Sequence, residues 1–256
     1  LYLRPLKTPN PHYLAGIMAS AFTSRSGVLR EHLAMVAVKN KVNGLHNPRA
    51  PHAAKITLSD VLEAEPVVDP LTRYEIAPFT DAAVVAVVAS EDAARRLTDT
   101  PVWIEGVGWA TEAGTGSTAW HDLGSMASMR MAAAMASSQA GVGNIMRDTS
   151  FAEVEDRYSF MELLALEEAI VGDAFEASRM LENGDFDRNG YYPVNPSGGS
   201  LSMGVAFEAT GGLRVLEAYL RLVGGGEELE AGAERAFVAS WRGLPTRTSM
   251  AVILGL

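Results

Sequence analysis

The sequence predicts a layered α/β fold, and three observations carry that prediction. Asp81-Ala82-Ala83-Val84-Val85-Ala86-Val87-Val88 is a continuous run of small and β-branched apolar residues, the composition of a strand buried on both faces. Strand-like and helix-like periods alternate from there onward. Two further apolar runs near the C-terminus, Arg235–Trp241 and Ser249–Leu254, are short enough for strands and too short for helices.

Taken in order, residues 1–72 are rich in proline around one strong helix candidate at Leu29–Asn43 and otherwise read as loop. Spacing puts Leu29, Leu33, Val36 and Asn40 along one side of that helix and leaves Arg30, Glu31 and Lys41 for water. After the Asp81–Val88 run come a short helix at Glu91–Leu97 and a strand at Val102–Trp109. Gly114-Thr115-Gly116-Ser117-Thr118 breaks regular structure and is the preferred boundary, giving segments 1–72, 73–115 and 116–256. The Met/Ala-rich stretch Ser125–Ala140 predicts a helix squeezed between two layers, since such composition belongs more often to a core than to an adaptable binding surface. A strand at Phe151–Glu155 follows, then helices at Ser159–Glu168 and Ala174–Glu182. After the Asn195–Gly199 loop a helix is expected to bury Leu213, Leu216 and Leu220.

Composition narrows the function. The chain has 256 residues, 48% of them hydrophobic, enough for a large core. Its 31 acidic against 21 basic residues leave a net charge of -10, which argues against a general nucleic-acid surface but leaves room for a local basic pocket. The absence of cysteine excludes disulfides, thiolate metal sites and a cysteine nucleophile from these residues. No signal pattern opens the chain, and Ala82–Ala89 is far too short to span a bilayer, so a cytoplasmic protein without membrane attachment is expected. Leu at position 1 reads as a segment of a longer protein. His46 and His52 make a weak metal pair, so no metal is expected, and no Walker loop, complete GxGxxG or GxSxG occurs.

An ordered set of motifs then resembles the thiolase superfamily, particularly the sterol-carrier-protein type and its archaeal and actinobacterial relatives. Lys39-Asn40 with Asn47-Pro48-Arg49-Ala50 is similar to "KNh…NPxA", Ile56–Leu62 to "iTxedVL", and Asp69-Pro70-Leu71 to "dPL". Asp81–Val84 resembles "sDGAAA" with Ala82 in place of glycine, and Glu153–Ser159 resembles "EvHDcFs". Asn195-Pro196-Ser197-Gly198-Gly199 through Ala209-Thr210-Gly211 resembles "NPSGGxxxxGHPxGATG". The resemblance covers nearly the whole chain. It implies a layered α/β/α fold whose N-terminal portion, which carries the nucleophilic cysteine, lies outside this chain. On that reading residues 1–72 are loop-domain-like, 73–115 end the N-terminal half and 116–256 form the C-terminal half.

The resemblance also questions the chemistry. Thiolases hold an acyl group on a thiolate and stabilise a thioester enolate. Here Val205 stands at the position of the GHP histidine, Glu155 at that of the HDcF histidine, and no cysteine lies near Gly243–Thr246 to act as base. Glu155 has two readings: a buried general base with a raised pKa, or a partner of an arginine. Tyr158 likewise is either a hydrogen-bond donor to a substrate oxygen or a core side chain. Glu155 and Tyr158 are the candidate catalytic residues. Asn195, Ser197, Gly198, Gly199 and Val205 are the candidate wall of the substrate site, with the Gly198-Gly199 turn offering backbone N–H groups. The implied function is carbon–carbon bond chemistry on acyl-CoA thioesters, without a cofactor beyond the coenzyme A of the substrate. Alternatives are a thiolase-like aldol lyase on β-hydroxyacyl-CoA, relying on tyrosines among which Tyr191 and Tyr192 are also local candidates, and a non-catalytic scaffold subunit. The implied partners are a second copy or a thiolase-type N-terminal half, and a small OB-fold, zinc-ribbon protein.

Overall fold

The computed structural model describes residues 11–112, 122–224, 233–243 and 247–256. The Gly114–Thr118 boundary and His121 lie outside the described residues, as do 244–246 of the Gly243–Thr246 stretch. Two helices, α1 (Pro11–Ser26) and α2 (Arg30–Asn43), precede a short helix α3 (Leu58–Leu62) and a small hairpin of β1 (Pro66–Val68) and β2 (Leu71–Thr72). After α4 (Glu91–Leu97) come β3 (Trp103–Thr111), α5 (Ala127–Ala140), α6 (Ile145–Asp148) and β4 (Phe151–Glu153). Then follow α7 (Ser159–Leu166), which runs into a π-helical turn at Glu167–Val171, α8 (Ala174–Glu182), α9 (Gly199–Met203), α10 (Ala209–Leu222), β5 (Arg235–Trp241) and β6 (Thr248–Gly255).

Four strands form one sheet in the order β3-β6-β5-β4. The β3–β6 and β5–β6 pairs are antiparallel, with Trp109 opposite Met250 and Trp241 opposite Ser249, whereas β4 and β5 run parallel from Phe151–Ala236 to Glu153–Val238. Alternation along β5 feeds two cores. Ala236 and Val238 pack with Ala218 and Leu222 of α10, while Phe237, Ala239 and Trp241 join the larger core on the other side. The sheet therefore lies between α5 and α10, the expected layered α/β/α arrangement. Gly106 and Gly108 of β3 bring α5 close: a side chain at either would overlap the carbonyls of Ala136 and Ala132. Glycine on the strand and alanine on the helix are two halves of one contact.

Several expectations are corrected. The Asp81–Val88 run forms no strand among the described residues, and Val85, Val87 and Val88 are 78–88% exposed. A β-branched run favours a ladder only where a neighbouring edge is available, and none of the described strands lies alongside. Helix α5 is buried on one side only. Ser128, Met129, Ala132, Ala133 and Ala136 face the sheet, while Met131 and Met135 remain exposed. Helix α10 buries Thr210, Arg214, Glu217, Ala218 and Leu222, with Leu213, Leu216 and Leu220 only half-buried, because Arg214 turns inward to carboxylates. In α2, Leu33, Val36 and Asn40 are buried as expected, but Leu29 is exposed and Lys41 points inward to the carbonyls of Leu201 and His52. Strand β3 belongs to the same sheet as β4–β6, although the Gly114–Thr118 boundary separates it from them. The predicted loop-rich beginning contains the four-turn helix α1.

Candidate active site

The carboxyl ends of the parallel strands β4 and β5 lie at the same edge of the sheet, where open α/β sheets commonly place their sites. Just beyond β4 come Glu155 and Asp156, both buried. Buried carboxylates need compensation, and Arg214, wholly buried on α10, supplies it. Its Nη1 lies 3.1 Å from Glu155 Oε2 and its Nη2 3.2 Å from Asp156 Oδ1, while Nε donates to the Val154 carbonyl at 3.1 Å. Ser240 Oγ and the Trp241 backbone N–H also donate to Glu155 Oε2, at 3.2 and 3.1 Å, and the Arg157 N–H donates to Oε1 at 3.2 Å. Burial pushes the Glu155 pKa upward, but the Arg214 and Arg157 charges and these backbone donors take it below the usual glutamate value. Of the two readings of Glu155, the arginine partner is the one found. An ionised, fully engaged carboxylate has no tendency to take a proton at neutral pH.

Tyr158 is held by a bridge with Ile76 and is 5% exposed. Its hydroxyl lies 3.0 Å from Nδ1 of His12, whose ring meets the phenol edge-on at 5.8 Å. Burial raises the tyrosine pKa, offset in part by Arg157, and burial lowers that of His12. At neutral pH the pair is therefore a phenol facing a neutral imidazole, a donor and a base. Glu155 and Tyr158 share a cavity of about 90 Å³, closed by Leu14 and Met18 of α1 and by Arg157 and Trp241. A second cavity of about 320 Å³ shares Glu155, Arg157, Trp241 and Arg242, and extends to Phe207, Thr210 and Gly211 at the start of α10.

The Asn195–Gly199 turn is held by internal hydrogen bonds. Asn195 adopts a left-handed conformation, its Oδ1 accepting the Val154 N–H at 2.8 Å and its Nδ2 donating to Glu162 at 2.7 Å. The N–H groups expected to face substrate are already engaged. Gly198 donates to the Asn195 carbonyl, Gly199 to Ser197 Oγ, and Ser200 and Leu201 to Asp156 at 2.7 and 3.2 Å. Asp156 thus satisfies the start of α9, where helical N–H groups lack intrahelical partners. Both glycines are required there: φ is +94° at Gly198 and +57° at Gly199, and a side chain on Gly199 would overlap the Asp156 carboxylate. Val205 is fully buried and exchanges backbone hydrogen bonds with Pro78 and Thr80. Neither cavity is lined by Val205 or by the turn.

Comparison with known proteins decides the family. The family described as thiolase C-terminal domain-like matches residues 110–256, more than half of the chain. The chain belongs to the thiolase superfamily. An acetyl-CoA acetyltransferase of Methanothermobacter thermautotrophicus is 33% identical over 229 residues, covering 86% of this chain and 57% of that protein. Sterol carrier protein 2 of Gallus gallus is 29% identical, covering 82% of this chain and 39% of its own length. The thiolase-superfamily chain thus spans about half or less of these relatives. Among solved structures, the Ltp2-ChsH2(DUF35) aldolase superposes with a TM-score of 0.81 at 22% identity, over the whole of this chain and 65% of the other. A monomeric SCP2-thiolase-like protein type 1 from Mycobacterium smegmatis superposes at 0.71 with 15% identity, over 97% and 52%. Both likenesses concern the fold.

Two features of this thiolase-superfamily site escaped the sequence reading. His12 lies 146 residues from Tyr158, beyond any local pattern. The second is a buried polar network behind the site. Lys39 lies 3.1 Å from Glu162, Asn40 bridges Glu162 and Asp156, and Glu153 accepts both the N–H and the hydroxyl of Ser197. Burial, with Glu217 and Asp156 nearby, pushes Glu153 up to about 8, so it is protonated at neutral pH. A carboxyl whose folded pKa lies above its unfolded value stabilises fully below the unfolded value, about 4.3, and loses that contribution as pH rises through the folded one. Native stability in urea is therefore expected to fall between pH 5 and 8 relative to Glu153→Gln, the difference growing with pH. Parallel pH profiles for the two proteins would contradict this assignment. Among the described residues no helix is long and apolar enough to cross a membrane, and no cluster of acidic, histidine or cysteine side chains could hold a metal ion.

Proposed function

We propose that the protein containing this chain cleaves the Cα–Cβ bond of a β-hydroxyacyl-CoA thioester by a retro-aldol reaction, and does not perform ordinary thiolysis. One observation carries the reading: the Tyr158 hydroxyl lies 3.0 Å from Nδ1 of His12, and Tyr158 lines a cavity together with Glu155, which is tied to Arg214. A retro-aldol step needs a base for the β-hydroxyl and stabilisation for an enolate, but no acyl-enzyme. Tyr158 accepts the β-hydroxyl proton while passing its own to His12. The Cα–Cβ bonding pair becomes the thioester enolate, the β-carbon leaves as a ketone or aldehyde, and His12, through Tyr158, returns the proton to Cα.

The likeness in fold to an aldolase supports this direction, as does the lack of a histidine at position 205 to activate a thiolate. That structure names two components, and we take a small second subunit, an OB-fold zinc-ribbon protein as the family resemblance implies, as the partner here. The test uses the full-length protein with its partner. β-Hydroxyacyl-CoA is expected to yield a carbonyl product and a shortened acyl-CoA, with no thiolysis of acetoacetyl-CoA by added coenzyme A. Thiolysis without aldol cleavage would overturn the reading.

A further inference from the structure

The larger of the two cavities has an apolar side that the aldol chemistry does not use. At about 320 Å³ it falls within the roughly 300–1,000 Å³ of small-molecule sites, whereas the cavity of about 90 Å³ beside Tyr158 falls short of it. The two share Glu155, Arg157, Trp241 and Arg242. The hydroxyls on the larger wall are already engaged: Ser240 donates to Glu155, Ser249 is bonded to Ser128, Thr248 to Thr111, and Thr210 accepts the Ala206 N–H. Its charges balance, Glu155 and Glu208 against Arg157 and Arg242, with Arg242 and Glu208 3.8 Å apart. What this wall still offers a ligand is the apolar surface of Phe207, Trp241 and Met250. Phe207 is 62% exposed, and its ring stacks at 5.3 Å, 9° from parallel, on Phe79, which is equally exposed. Its φ of +48° is one that a bulky side chain seldom adopts and that persists only where the surroundings impose it. Here they do. Val205 exchanges backbone hydrogen bonds with Pro78 and Thr80, and the Thr210 N–H donates to the Phe207 carbonyl.

We propose that Phe207, backed by Phe79, is a specificity-determining residue that binds an apolar substituent on the β-carbon of the acyl group. The inference rests on the aldol reading and names the part of the substrate that reading leaves open. With Tyr158 at the β-hydroxyl, the β-carbon lies in the smaller cavity, and a bulky substituent on it has room only past Trp241, in the larger one. A neutral wall whose hydroxyls are engaged suits a hydrocarbon better than the diphosphate of coenzyme A. The backbone ladder beside Val205 fixes both rings in place, so the aromatic surface is presented before the substrate arrives.

The test uses the full-length protein and two thioesters without the β-hydroxyl, β-cyclohexylpropanoyl-CoA and butanoyl-CoA, whose binding is measured by calorimetry without turnover. They differ only in carrying cyclohexyl or methyl on the β-carbon. The native protein is expected to bind the cyclohexyl thioester about 100-fold more tightly, since each buried methylene contributes a few-fold. Phe207→Gly removes the ring and suits the left-handed backbone, so it should fold, and it should cut that preference about tenfold. Phe79→Ala, which removes the support, should cut it about threefold. Circular dichroism checks the fold of both. The same ratios should appear in kcat/KM for aldol cleavage of the β-hydroxy counterparts of the two thioesters. No cyclohexyl preference in the native protein, or an unchanged preference in folded Phe207→Gly, would overturn the proposal while leaving any aldol cleavage standing. A preference that depends on Phe207 without cleavage of the hydroxylated thioesters would keep this assignment and remove the reaction proposed above.

Discussion

Replacing Arg214 with methionine is expected to destabilise the fold by about 3–5 kcal/mol, the cost of leaving buried carboxylates without their cation. Few single changes in this chain should do more. Arg214 donates to five oxygens, those of Val154, Glu155, Asp156, Ser200 and Ser240, and so ties α10 to the ends of β4 and β5 and to α9. A loss of that size is a large fraction of the roughly 5–15 kcal/mol that holds an ordinary domain together. Lysine should rescue little, because a single ammonium cannot reproduce a planar fork that contacts two carboxylates and two hydroxyls. Adding Glu155→Gln to Arg214→Met should recover part of the loss by removing one of the stranded charges. Urea denaturation of the native protein, Arg214→Met, Glu155→Gln and the double variant gives the comparison; additive losses would show that Glu155 and Arg214 do not act as a pair.

Tyr158→Phe is expected to lower kcat of the proposed aldol reaction by about 10²–10⁴-fold, the usual contribution of a positioned proton-transfer group. The fold should hardly notice. The change removes one hydrogen bond, to His12, worth about 1 kcal/mol, and keeps the ring stacked against Phe160 at 6.2 Å. The pH dependence separates the two partners. The His12 pKa is lowered by burial, so native kcat should be flat through neutrality and fall only at a pH below the ordinary histidine range, where the imidazole is protonated. His12→Phe should abolish that acid limb while leaving Tyr158 in place. A Tyr158→Phe enzyme with native kcat would exclude the phenol from the chemistry.

How much of this was legible depends on whether the signal was local. Leu33 and Val36 in α2, the apolar strands β5 and β6, and the helix expected over Ser159–Glu168 and observed over Ser159–Leu166 are periodic and short-range. Helix α1 had a signal too: Ala15, Met18, Ala19 and Phe22 recur at helical spacing and are buried, but the surrounding prolines drew the reading toward loop. The inward face of α10 was illegible by hydrophobicity, since its key residue is an arginine that became core only through Glu155 and Asp156, 59 and 58 residues away. The valines of Asp81–Val88 gave a true preference without a partner, and a propensity cannot reveal whether an edge is present. At the site, the sequence pointed to Glu155 and Tyr158 as neighbours. It could not say that one was locked as an anion and the other coupled to His12, because both facts are long-range contacts.

The Glu155–Arg214 pair also constrains how this site can evolve. A histidine introduced alone at position 155 would set an imidazole against a guanidinium that has lost half of its countercharge, and loss of Arg214 alone would strand two carboxylates. Either single step is expected to destabilise the fold, so the two positions should be epistatic. Exchange at either position is therefore expected to be tolerated only when the other changes with it.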